Sequence, residues 1–134
     1  MLTLPRPVLL AMVAHALDGL PLEACGLFAG VPGSSVVERF YPCGNDAASS
    51  KLYTVNPRHH LRADRDAEDA GLELIGVMHS HTHTEAWPSP TDVRQAVDPT
   101  WHYVIVSLKR PEPVLRSYCL VDGGIHEERV VVVD

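Results

Sequence analysis

The chain reads as a mixed α and β domain of the α+β class, with one curved, mostly antiparallel sheet flanked by helices. Three observations predict it. Two segments with helical signals interleave with short apolar runs in the first two thirds. Three strand-like runs joined by tight turns follow in the last third. The length of 134 residues, with 46% hydrophobic residues, suits one domain of about this size (residues 1–134) with its own core.

The elements follow in order. Residues 5–19 carry apolar side chains at helical spacing; Pro7 suits a first turn and Gly19 the position just past the end. Ala24–Gly30 reads as a short buried strand, Pro32-Gly33 as a turn, and Ser35–Cys43 as the returning strand. Gly44–Lys51 is small and polar, a loop. Asn56-Pro57 marks a helix start, because Asn caps and Pro fits the first turn; Gly71 ends that helix after Ala70. Leu72–Met78 is a buried strand running directly into His79. Pro90–Val97 is a short helix. His102–Leu108, Val114–Val121 and Ile125–Val133 are three strands, with turns at Pro111-Glu112-Pro113 and Asp122-Gly123-Gly124.

Composition narrows the function. A formal net charge of −6 argues against nucleic acid or an anionic membrane surface as the main partner. The N-terminus lacks the basic and apolar stretches of a signal peptide, and no apolar run approaches the ~20 residues of a membrane span. Cys25, Cys43 and Cys119 are odd in number and widely spaced, as in a reduced, cytoplasmic protein.

The chemistry concentrates in His79-Ser-His-Thr-His-Thr-Glu-Ala-Trp-Pro-Ser-Pro-Thr-Asp92. His79 and His81 are two apart at a strand end, so both imidazoles face one side. Ser89 and Asp92 are three apart at a helix start and share a face. Two His and one carboxylate, with a fourth position left for water, form the ligand set of a catalytic zinc site. The rival reading of Ser89-Pro-Thr-Asp92 is a helix cap, with Ser at the cap, Pro first and an acid third. With eight His in the chain, a His-x-His pair arises by chance about 0.5 times; adding Ser and Asp at fixed offsets leaves about 0.002. The long pattern is the signal.

An upstream Glu followed by His-x-His-Pro-x6-Ser-x2-Asp is the motif of the JAMM (MPN-plus) metallopeptidases, and this chain resembles that family, specifically its bacterial branch. His79, His81, Ser89 and Asp92 fall on the motif, and Glu23 in Pro21-Leu-Glu-Ala-Cys-Gly-Leu27 matches the upstream acid; Thr82 stands where the motif has proline. The resemblance implies a JAMM/cytidine-deaminase-like fold and Zn2+ held by His79, His81 and Asp92. It implies Glu23 as general acid–base and Ser89 as oxyanion donor. It also implies a partner: a ubiquitin-like sulfur-carrier protein of the CysO kind, ending in Gly-Gly, from which cysteine is released. A homodimer is compatible with all of this. Tyr53, Arg58 and His83 are candidate substrate contacts; His83 would compete with Asp92 as a ligand and is assigned to the loop. His59 and His60 read as solvated, and His102, His126, Trp87 and Trp101 as core or rim residues. The rivals are a peptidase trimming other residues from such tails and a non-catalytic MPN scaffold. An amidohydrolase barrel needs ~200 residues or more and is excluded by length.

Overall fold

The computed structural model describes all 134 residues. In chain order they form β1 (Leu2–Pro5), α1 (Arg6–Asp18), β2 (Cys25–Gly30), β3 (Arg39–Cys43), α2 (Pro57–Asp69) and β4 (Glu73–His81). There follow α3 (Pro90–Gln95), β5 (His102–Ser107), β6 (Val114–Val121), β7 (Gly124–Glu128) and β8 (Val130–Val133). Six strands make one sheet in the order β3-β2-β4-β5-β6-β7, and every pairing is antiparallel except β4–β5.

The expectation of a single sheet is corrected. β1 and β8 form a separate two-stranded parallel sheet, Leu2 opposite Val130 through Pro5 opposite Val133. The run read as one strand, Ile125–Val133, breaks at Arg129: its first half stays with β6 and its second half leaves to meet the N-terminus. β1 itself was hidden because four residues are too few to show a period. Its Leu2 and Leu4 are nonetheless fully buried in alternation with Thr3 and Pro5. The expected strand Ser35–Cys43 is also shorter, since only Arg39–Cys43 pairs along β2, while Val36 makes a lone bridge to Thr3.

The six-stranded sheet is covered on both faces. α2 lies on one, over Leu27, Val77 and Ile105. It approaches closely because its buried stripe is only Ala63 and Ala67. α1 lies on the other, where Met12 and Ala16 meet Phe28, Ile75, Met78 and Val104. Burial on both faces is why β4 reads as an almost unbroken apolar run rather than an alternating one. α2 starts where expected: the Asn56 side chain accepts from the Arg58 and His59 N–H groups, at 3.0 and 3.1 Å.

Gly76, in the middle of β4, is required by close approach. A Cβ there would sit 2.3 Å from the Phe28 ring and 2.3 Å from the His102 carbonyl oxygen. Gly76→Ala is expected to cost about 1–3 kcal/mol by overpacking and to lower Tm by roughly 4–12 °C. An unchanged thermal melt would contradict this packing.

Candidate metal centre

The site is built at the end of β4. His79 and His81 are 2% and 4% exposed and lie on the α2 face of the sheet, one pleat beyond Val77. After His81 the chain leaves the sheet as a pinned loop. Ser107 Oγ donates to the Thr84 carbonyl (2.5 Å), and Tyr118 Oη donates to that of Ala86. Arg110 and Lys109 hold the Glu85 carboxylate at 2.9 and 3.5 Å. The loop delivers Ser89 as the cap of α3 with both halves of a capping box: Asp92 N–H donates to Ser89 Oγ (3.0 Å), and Ser89 N–H donates to Asp92 Oδ2 (2.9 Å). The helix-cap and ligand readings of this segment are therefore not alternatives, since the box is what holds Asp92 Oδ2 against the histidines.

Asp92 Oδ2 lies 3.2 Å from His79 Nε2 and 3.1 Å from His81 Nε2, and the two Nε2 atoms are 3.2 Å apart. Zinc with four tetrahedral arms of about 2.0–2.1 Å separates its ligand atoms by about 3.3–3.4 Å, so this triangle has the dimensions of one face of such a site. The tautomer of His81 fits as well. Its Nδ1 meets the Glu85 carbonyl at 2.8 Å and must donate there, leaving Nε2 as a bare lone pair in the triangle. No thiol competes: Cys25, opposite His79 in β2, donates to the Gly44 carbonyl, and burial pushes its pKa up to about 12.

Glu23 reaches the same place by register. Cys25 pairs with His79, and extending that antiparallel register by two residues puts Glu23 opposite His81. Ser80 secures the extension. It points to the other face, and its Oγ accepts from the Ala24 N–H (2.8 Å) while its own N–H donates to the Ala24 carbonyl (2.9 Å). Glu23 is 5% exposed, and its Oε1 and His79 Nδ1 are buried without a partner. An unpaired carboxylate oxygen beside three convergent ligand atoms is an arrangement a cation with its water would satisfy.

The electrostatics follow from burial. Burial raises the Glu23 pKa to about 7; His81 opposes this and Asp92 adds to it. Burial would also raise Asp92, but the two imidazoles and the Ser89 N–H outweigh it and hold the carboxyl well below its usual range. Full burial lowers His79, whereas His81, also opposed by burial, is raised overall by Asp92 and the Glu85 carbonyl.

The remaining expected contacts separate. Tyr53 stacks on His79, ring centroids 4.4 Å apart at 20°, and lines an apolar hollow of about 230 Å³ with Leu27, Val77 and Trp101. It is a wall of the centre. His83 is exposed and lines a cleft of about 220 Å³ together with Glu23, His81 and Ser89. Arg58 is not brought to the site: it lies exposed on the first turn of α2 and lines neither cavity. His59 is not simply solvated, because its Nδ1 accepts from the Gly44 N–H at 2.8 Å. Sequence reading missed Ser80 and Asn45. Asn45 donates to the Glu23 and Leu52 carbonyls, both at 3.0 Å, and accepts from Thr54 N–H at 2.9 Å, tying the 44–55 loop to Glu23. Ser80 had a signal: a polar residue between two ligands on a strand must face away from them.

A six-stranded sheet with helices on both faces, carrying a His-His-Asp triangle with a buried Glu beside it, defines a metallopeptidase domain of the JAB/JAMM class. The profile of the prokaryotic homologs of the JAB domain matches residues 5–120, and the chain belongs to that family. It is 46% identical over 125 residues to the CysO-cysteine peptidase of Mycobacterium tuberculosis, covering 92% of this chain and 86% of that one. Protein DSY2949 from Desulfitobacterium hafniense superposes with a TM-score of 0.91 at 38% identity, covering 100% of this chain and 94% of that one. The JAB1/MPN domain protein AF2198 from Archaeoglobus fulgidus shares the fold, with a TM-score of 0.66 at 17% identity and coverage of 100% and 98%. No helix is long and apolar enough to cross a membrane.

Proposed function

We propose that this chain is a zinc-dependent peptidase that hydrolyses the amide between the C-terminal glycine of a ubiquitin-like sulfur-carrier protein and cysteine, releasing cysteine. The observation that carries the reading is the placement of Glu23 on one cleft with Ser89 and with His81, a corner of the His79–His81–Asp92 triangle. The similarity to the mycobacterial CysO-cysteine peptidase supplies the substrate. Its three free cysteines suit the reducing cytoplasm, where we place it.

His79, His81 and Asp92 would hold the metal. Zinc, when bound, supplies Lewis acidity, polarising the substrate carbonyl and bringing the pKa of a water to roughly 7. Glu23 takes a proton from the attacking water and returns it to the cysteine nitrogen as the C–N bond breaks. The products are a carrier carboxylate and free cysteine. Ser89 suits the oxyanion role for a specific reason: in the cap its Oγ only accepts, from the Asp92 N–H, so its own proton remains free to be donated.

Incubating the protein with a carrier ending in Gly-Gly-Cys, and with carriers bearing other last residues, tests the reading by mass. Loss of one cysteine, abolished by chelator and restored by zinc, is the expected result. Equal turnover of every tail would sink the cysteine-specific reading. Ser89→Ala should lower turnover by about 10²–10³-fold and, through the lost cap, stability by about 0.5–2 kcal/mol. Loss of stability with turnover intact would reduce Ser89 to a cap.

A further inference from the structure

We infer that Lys51 reads the α-carboxylate of the released residue, so that the cleft selects a free C-terminal amino acid over a bond inside a chain. The inference rests on the function proposed above.

Residues 49–51 are fixed to the site from two sides. Glu23 N–H donates to the Ser49 carbonyl at 2.8 Å, and Thr82 Oγ1, one residue past His81, donates to the Ser50 carbonyl at 3.2 Å. Lys51 N–H closes the turn by donating to Ser49 Oγ at 3.0 Å. Thr82 stands where the family motif has proline, so this chain has a hydroxyl there to make the second tie. The backbone from which Lys51 projects is thus anchored to Glu23 and to Thr82, the residue after His81.

Lys51 lines the cleft that holds Glu23 and Ser89, and it is the one fixed cation among the residues that line it. No ion pair of the chain uses its ammonium, so it has no internal partner to leave. Amide hydrolysis at a C-terminus places a carboxylate two bonds from the nitrogen that Glu23 protonates. That anion enters a cleft that already contains the Glu23 carboxylate, in a chain of net charge −6. A zinc ion held by His79, His81 and Asp92 would be balanced by the Asp92 and Glu23 carboxylates, so the anion meets no net positive charge there, and Lys51 is placed to supply it. An internal peptide presents a neutral amide at this position and an isopeptide the methylene carbons of a lysine side chain, and neither gains from Lys51.

The test compares a sulfur-carrier protein ending in Gly-Gly-Cys with the same protein carrying a C-terminal cysteine amide. The wild type is expected to favour the free acid by about tenfold or more in kcat/KM, the worth of one charge-assisted hydrogen bond. Lys51→Met is expected to remove that preference by weakening only the free acid, chiefly in KM, with an unchanged thermal melt; Lys51→Arg is expected to restore most of it. Binding to a Glu23→Gln background, followed by calorimetry, should show the same loss of discrimination without turnover. A preference that survives Lys51→Met, or an equal loss on both substrates, overturns the role of Lys51 and leaves the proposed activity standing. A wild type that cuts neither substrate overturns the proposed activity, and this inference with it.

Discussion

Glu23→Gln is expected to lower turnover of a cysteine-tailed carrier by about 10²–10⁴-fold while leaving zinc content unchanged. Glu23 is opposite His81 by strand register and is not a corner of the ligand triangle, so the metal does not depend on it. Its backbone is held independently of its carboxylate: the N–H donates to Ser49, and the carbonyl accepts from Asn45. Gln keeps the shape but cannot take a proton at neutral pH. Burial places the carboxyl pKa at about 7, within the range of a group that both accepts and returns a proton. A cation in the triangle would draw that pKa down and favour the base form for the first step. Elemental analysis and steady-state kinetics on the same preparation check both halves. Retained activity would remove Glu23 from the mechanism; lost zinc would make it a ligand.

The features that sequence reading placed well are local ones. The Asn56-Pro57 start of α2 and the Ser89-Pro90 start of α3 are each decided within four residues by capping chemistry. β4 is decided by an apolar run ending in two alternating histidines. What was lost is non-local. β1 exists because Val130–Val133 returns to it from the far end of the chain, and nothing in four N-terminal residues announces that partner. Asn45 has no motif; it matters because Glu23, Leu52 and Thr54 converge on it in space. Arg58 shows a finer error. The buried stripe of α2 is Ala63 and Ala67, and one turn earlier that stripe passes through His59. Arg58 is one residue off it, turned by about 100° toward solvent, whereas His59 reaches the Gly44 N–H. The four-residue spacing of the two alanines contained that information, although the larger apolar residue of the helix, Leu61, lies exposed off the stripe.

Asp92→Asn separates the two jobs of one side chain. Asp92 Oδ2 accepts the Ser89 N–H at 2.9 Å and also forms one corner of the triangle proposed to hold the metal. Asn is isosteric, and its side-chain oxygen can still accept from Ser89, so the capping box and the entry of α3 survive. What is lost is the only negative charge among the three ligand atoms, in a group 8% exposed where charge is poorly screened. Outer partners of metal ligands already cost 10–100-fold in affinity when removed, so losing the anionic ligand itself should weaken zinc by about 100-fold or more. Competition with a chelator of known affinity reads this directly. The metal-free variant also loses the imidazole contacts that hold the Asp92 carboxyl below its usual range, so at neutral pH it should melt below the metal-free wild type. Asp92→Ala should instead lose both the metal and the box, with a further cost of about 0.5–2 kcal/mol in the metal-free protein. Unchanged zinc affinity in Asp92→Asn would contradict the ligand set. Equal metal-free melting of the Asn and Ala variants would show that the box contributes nothing to holding α3. If both differences appear, the Ser-x-x-Asp spacing is explained twice over: three residues is the interval at which a helix cap is satisfied, and this cap is what brings its own acid back to the two histidines.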